Sequence, residues 1–257
     1  MSSDAFALVR EEDGILHVVL NRQERLNALH SAAHFQLATI FDRFEASPAL
    51  RVAIITGAGP RAFCAGNDLR VQAAGGAMER PPSGFGGLTL RHDRRKPVIA
   101  AVNGFALGGG CEMVLAADLA IAAENARFAL PETLRGLVPL AGVHLLARRV
   151  GLKDALGLLL TGRQIAAAEA LRIGLVNEVV PEGQAVAAAT EWARLIVQAS
   201  PAATAACLAM VRESLAIPDT ATAMAAPSAA LEQLRASADF VEGPLAFAER
   251  RPPRWTA

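Results

Sequence analysis

Through the first 150 residues, apolar positions come in short blocks separated by polar or glycine-rich turns. Residues 6–10 and 14–20 flank a turn at Glu12-Asp13-Gly14 and predict a β-hairpin. Ser31 is placed to N-cap a helix running through Phe44, with Phe35, Leu37, Ile40, Phe41 and Phe44 at helical spacing. Residues 51–56 and 98–102 are almost continuously apolar, as strands covered on both faces should be. A helix is expected over 109–117, followed by short strands at 119–122 and 127–130. This strand, strand, helix order recurs to about residue 150 and predicts a stacked or wound α/β core.

From Leu152 the pattern becomes helical, alanine-rich and interrupted by Pro201, Pro218, Pro227 and Pro244, with Leu175–Val180 the one strand-like exception. The expected division is a core over residues 1–195 and a helical region over 196–257. Residues 73–87, with Gly75-Gly76, Pro81-Pro82 and Gly86-Gly87, predict a mobile loop. The tail Arg250–Trp255 is basic and extended in character.

Composition narrows the function classes. Hydrophobic residues make up 53% of the 257, Tyr is absent, and 25 basic residues balance 25 acidic ones. Zero net charge and few stacking rings argue against nucleic acid as a partner. No apolar run is long enough for a bilayer, and the N-terminus lacks the pattern of a signal peptide, so neither membrane nor export is expected. Cys64, Cys111 and Cys207 have no metal-ligand spacing and are expected as free thiols in a reducing cytoplasm. No metal and no separate cofactor are called for.

The chemistry concentrates at two glycine-rich turns, each following an apolar strand. One is Phe63-Cys64-Ala65-Gly66-Asn67-Asp68-Leu69. The other is Asn103-Gly104-Phe105-Ala106-Leu107-Gly108-Gly109-Gly110-Cys111-Glu112. Such turns present bare backbone N–H groups, and two of them converging on one carbonyl form an oxyanion hole. The second also opens a helix whose positive end adds to the effect. A competing pattern, Gly57-Ala58-Gly59-Pro60-Arg61-Ala62, mimics a dinucleotide-binding turn, but Pro60 and Gly66 interrupt the helix that should follow. His30, His34 and His144 have no G-x-S-x-G elbow to serve and are expected as structural or surface residues.

Taken with Asn21–Leu29, Lys96–Gly104, Phe128-Ala129-Leu130-Pro131-Glu132, Leu160-Thr161-Gly162, Gly174–Asn177 and Ala246–Arg251, these turns resemble the crotonase (enoyl-CoA hydratase/isomerase) superfamily over nearly the whole chain. The resemblance implies a spiral of ββα units with a C-terminal helical trimerisation region, a homotrimer or dimer of trimers, and an acyl-CoA thioester as substrate. It places the oxyanion donors on the backbone N–H groups of Asn67 and Gly109. It places substrate and CoA contacts at Arg25, Leu26, Ala28, Ala65, Gly66, Asp68, Leu69, Gly108, Pro131 and Gly142. Its two catalytic glutamates fall on Glu112 and Glu132, twenty residues apart, so only the fold can bring them together.

That pair implies reversible addition of water to a 2-trans-enoyl-CoA. The alternatives on the same fold are an enoyl-CoA isomerase, a carnitinyl-CoA-type dehydratase and an acyl-CoA hydrolase. The chain departs from the family at Pro139-Leu140-Ala141-Gly142, where Pro-Gly-x-Gly-Gly is usual and this turn is one residue shorter, just after Glu132.

Overall fold

The computed structural model describes residues 6–76 and 78–256. An antiparallel hairpin, β1 (Ala7–Glu12) and β2 (Ile15–Leu20), precedes α1 (Ser31–Ala46). Three ββα units follow: β3 (Val52–Gly57), β4 (Ala62–Cys64) and α2 (Leu69–Ala73); β5 (Val98–Val102), β6 (Phe105–Leu107) and α3 (Gly109–Ala116); β7 (Leu119–Ala123), β8 (Arg127–Ala129), a 3-10 helix (Pro131–Arg135) and α4 (Gly142–Arg149). Then come α5 (Leu152–Thr161), β9 (Ile165–Ala166), α6 (Ala167–Arg172), β10 (Glu178–Val180) and α7 (Ala185–Gln198). The chain ends in α8 (Pro201–Ser214), α9 (Thr220–Ala225), α10 (Ala229–Arg235) and α11 (Ala238–Ala248).

Each ββα unit gives one strand to each of two sheets. Among the described residues the larger sheet runs β1-β2-β3-β5-β7-β10 and the smaller β4-β6-β8-β9. Between successive units, pairing is parallel throughout: β3 with β5, β5 with β7, β4 with β6, β6 with β8. The chain therefore winds as a spiral, and equivalent turns of successive units stack.

The near-continuous apolar strands are explained by burial on both faces. Ala53, Ile55, Val98, Ala100 and Val102 point into the main core with Phe41, Phe44 and Phe63. Their neighbours Val52, Ile54, Ile99, Ala101 and Ile121 point the other way, onto Ala185, Ala189 and Ala193 of α7. Those alanines recur every four residues, so a single helix face without bulk lets α7 lie close on the sheet. α8 is tied on by Asp118, which pairs with buried Arg94 (3.0 Å) and with Arg212 of α8 (2.9 Å) and also accepts the Val98 N–H (2.9 Å).

Four local expectations change. The hairpin turns on Asp13 and Gly14, both at positive φ, so its first strand runs on to Glu12, two residues further than the sequence suggests. α1 starts at Ser31 itself, with His30 in the cap position and no side-chain cap; the Ser31 hydroxyl instead accepts the Glu79 N–H (3.0 Å). The end of the expected mobile loop is packed: Phe85–Gly87 form a 3-10 turn, and Phe85 and Leu88 are buried because α1 offers them an apolar face. In the 175–180 segment only Glu178–Val180 pair as a strand, because Asn177 spends both its N–H and its Oδ1 on Ala120. Among the described residues, no single helix is long and apolar enough to cross a membrane.

Candidate active site

Parallel pairing of β4 with β6 brings the two glycine-rich turns side by side. The contact leaves no room for side chains. A Cβ on Gly110 would fall 2.0 Å from the Cys64 carbonyl oxygen, and one on Gly66 would fall 2.8 Å from the Leu107 oxygen and 3.2 Å from the Gly109 nitrogen. Gly66 and Gly108 both hold positive φ, +91° and +55°, which bends each chain away from its strand. Asn67 follows the first bend and Gly109 the second. Neither of their N–H groups has an acceptor among the described residues. α3 begins at Gly109, so its positive end lies at this second turn.

The first turn is also buttressed from behind. The Ala65 N–H donates to the Leu26 carbonyl (3.0 Å), the Leu29 N–H to the Gly66 carbonyl (2.9 Å) and the Asp68 N–H to the Leu29 carbonyl (2.9 Å). Leu26 and Asn27 take left-handed φ values of 51° and 57° to make this fit. Asn27 is buried. Its amide donates to the Ala58 and Ala62 carbonyls (3.1 and 2.8 Å) and accepts the Arg22 N–H (3.0 Å).

The two glutamates arrive from different units. Glu112 lies one turn into α3 and is 4% exposed. Its Oε1 accepts the N–H groups of Ala141 and Gly142, each at 2.9 Å. The shortened turn thus grips Glu112, and its Oε2 has no protein partner among the described residues. Glu132 sits at the second position of the 3-10 helix, behind Pro131 at its start. Its Oε1 would lie 2.9 Å from a Cβ on Gly108, so the missing side chain makes room for this carboxylate. Its Oε2 is buried with no hydrogen-bond partner. Burial pushes the Glu132 carboxyl above its ordinary pKa, and the charge of Glu112 adds to that push. Both glutamates raise the buried Cys111 thiol further after burial has done so, which fits their position around one end of α3.

The other sequence-derived contacts divide by environment. Arg25 and Leu69 are exposed at the rim, Leu26, Ala65 and Pro131 are half-buried, and Ala28, Gly66, Gly108 and Gly142 are buried. Asp68 is turned inward, its carboxylate paired with Arg22 at 3.1 Å, so its side chain braces the turn. Gly57-Ala58-Gly59 leads into β4 where a dinucleotide turn needs a helix. The Asn103 amide, which accepts the Gly57 N–H (3.2 Å) and donates to the Gly57 carbonyl (2.8 Å), holds that turn to the next unit.

Sequence reasoning expected His34 as a structural or surface residue, which its burial fits, and gave no place to Phe85 or Arg80. His34 is fully buried, its Nδ1 accepts the Gly86 N–H (3.0 Å), and its ring meets Phe85 edge-on at 4.5 Å. Its Nε2 and the Asn67 Oδ1 are both buried without a hydrogen-bond partner, yet close enough for the amide to act on the imidazole. Burial, then the charge of Arg80, lowers the His34 pKa to about 4, so the ring is neutral at physiological pH. Phe85 lies against Gly109, where an added Cβ would come within 2.5 Å of two ring carbons. Only the spacing of His34 on the buried face of α1 carried any sequence signal for this cluster.

A family model for enoyl-CoA hydratase/isomerase matches residues 10–257. The chain belongs to the enoyl-CoA hydratase/isomerase family. A carnitinyl-CoA dehydratase of Proteus mirabilis is 42% identical over 247 residues, 94% of each chain. A solved enoyl-CoA hydratase of Mycobacterium tuberculosis superposes with a TM-score of 0.91 at 38% identity, covering 98% of this chain and 99% of that one. A solved carnitinyl-CoA hydratase of Mycobacterium avium gives 0.79 at 37% identity over 98% and 99%. The chain is thus a crotonase-superfamily enzyme with the crotonase fold, as its motifs imply.

Proposed function

We propose that this enzyme is a 2-enoyl-CoA hydratase that adds water reversibly across the α,β double bond of a CoA thioester. The observation that carries the reading is the pairing of two unoccupied N–H donors, on Asn67 and Gly109, with two carboxylates of unlike environment. The thioester carbonyl accepts both N–H groups. As water adds at Cβ, negative charge moves onto that oxygen, and loss of one such donor typically costs about 3 kcal/mol of barrier. Glu112, fixed through Oε1, uses Oε2 to orient the water and take its proton. Glu132, whose buried carboxyl holds a proton more readily, gives one to Cα. The hydroxyl ends on Cβ and a proton on Cα, and passage of the water-derived proton from Glu112 to Glu132 resets the pair.

The same steps reversed dehydrate a 3-hydroxyacyl thioester. The 42% identity to a carnitinyl-CoA dehydratase favours that direction as the second reading. Arg25 and Leu69 at the rim, with the backbone of 26–28 and 65–68 behind them, receive the CoA moiety. Exposed Val211, Met224, Val241 and Phe247 on the C-terminal helices (58, 85, 65 and 87% exposed) form the trimer contacts. Turnover of matched 2-enoyl-CoA and 3-enoyl-CoA substrates separates hydration from isomerisation. Formation of 3-hydroxyacyl-CoA from the former supports the proposal. Interconversion of the two enoyl thioesters without water uptake refutes it.

A further inference from the structure

Arg80 is a charged group near the site that the reaction above leaves without work. Its guanidinium carbon stands 5.5 Å from the centroid of the Phe85 ring. Its Nε is buried and has no hydrogen-bond partner. Among the described residues no carboxylate pairs with Arg80 and no carbonyl accepts from it. A planar cation with five donors, held partly out of water without an anion, is costly, and the Phe85 face compensates only in part. Neighbouring arginines differ: Arg22, Arg91 and Arg94 each have a carboxylate.

The position is telling. Phe85 is 1% exposed and lies against Gly109, whose N–H is one of the two oxyanion donors. His34, also on Phe85 and beside Asn67, feels the charge of Arg80. The guanidinium therefore lies over a buried ring that itself abuts one oxyanion donor, whereas Arg25 is exposed. Solvated CoA phosphates suit the rim. An anion carried inward by the acyl chain suits Arg80.

We infer that Arg80 selects acyl groups ending in a carboxylate, which it receives bidentately, and disfavours acyl groups ending in a quaternary ammonium. This inference rests on the acyl-CoA reading above and narrows its substrate class. The selection works in both directions: a carboxylate completes the donor set of Arg80, while a trimethylammonium group meets a like charge in a partly desolvated wall.

The test uses the whole enzyme and three 2-enoyl-CoA thioesters of equal length ending in methyl, carboxylate or trimethylammonium. Wild type should turn over the carboxylate-tipped thioester with a kcat/KM about tenfold or more above the methyl one, and the ammonium-tipped one worst. Arg80→Met should collapse the carboxylate-to-methyl ratio towards one, and Arg80→Lys should restore part of it. No carboxylate preference in wild type overturns the inference. An Arg80→Met change that raises KM equally for all three thioesters also overturns it and places Arg80 on a CoA phosphate. Calorimetric binding of the corresponding saturated thioesters, which need no turnover, separates the two readings. Turnover without preference removes only this inference. Arg80-dependent tight binding of the carboxylate-tipped thioester, without turnover of any enoyl-CoA, removes only the hydratase reading.

Discussion

Gly108→Ala separates the stability of the site from its chemistry. Gly108 holds φ +55° and ψ −125°, a region nearly closed to other residues, and its absent Cβ leaves the space that Glu132 Oε1 fills at 2.9 Å. An alanine here strains the backbone by about 2 kcal/mol, as such outliers typically do. For a chain of this size that lowers Tm by roughly 4–8 °C. The atom in the way is the end of a side chain, so Glu132 yields by a few tenths of an ångström or turns aside. A shift of about 1 Å in a reacting group typically costs on the order of a hundredfold in rate. The expected result is a folded enzyme that binds crotonyl-CoA with wild-type affinity and has kcat reduced ten- to a hundredfold. Thermal melts, thioester titration and initial rates measure the three quantities. A variant with the lowered Tm but kcat within threefold of wild type refutes the argument that Gly108 exists to seat Glu132.

Glu132→Gln should raise Tm at neutral pH while abolishing turnover. A carboxyl whose folded pKa is raised binds protons more tightly than in the unfolded chain, so it costs stability as pH climbs past its ordinary value, and the gain from Gln should vanish in acid where wild-type Glu132 is protonated. His34 has the opposite shift in a base: its folded pKa near 4 lies below the ordinary 6.5, so its contribution is complete above 6.5 and drains away as pH falls towards 4. Melts across that window should be visibly less pH-dependent in His34→Asn than in wild type, and an unchanged slope rejects this role. Asn27→Ala removes three hydrogen bonds from a buried amide and should cost about 3 kcal/mol, read as a urea midpoint shift with unchanged slope.

Much of this site was readable from local sequence because its decisive features are local. The glycines of both turns, the apolar strands before them and the helix after Gly109 are each fixed within about ten residues, while the choice of Asn67 and Gly109 as donors is what the family resemblance implies. The doubly covered strands were readable because burial on both faces removes the alternation of a half-solvated strand. The contacts that give the carboxylates unlike roles were not readable. Glu112 is held by Ala141 and Gly142 through their backbone N–H groups, which every non-proline residue possesses, so residue type carries no trace of it. The pairing of the Asp68 side chain with Arg22 was not readable either, because it crosses 46 residues. The 73–87 segment looked uniformly mobile because glycine and proline speak for the local chain, while Phe85 answers to α1, His34 and Gly109. Arg80 escaped notice for the same reason, since an arginine in a polar loop is ordinarily solvated.

The most direct measurement is hydration of crotonyl-CoA, followed by loss of the enone absorbance, for wild type beside Glu112→Gln and Glu132→Gln. Steady loss in wild type, with each single substitution slowing it by about a hundredfold or more while thioester binding persists, is the outcome expected of two carboxylates sharing one water. Wild type that binds crotonyl-CoA without consuming the enone, or a Gln variant at either position that keeps near-full rate, would contradict the two-glutamate hydratase.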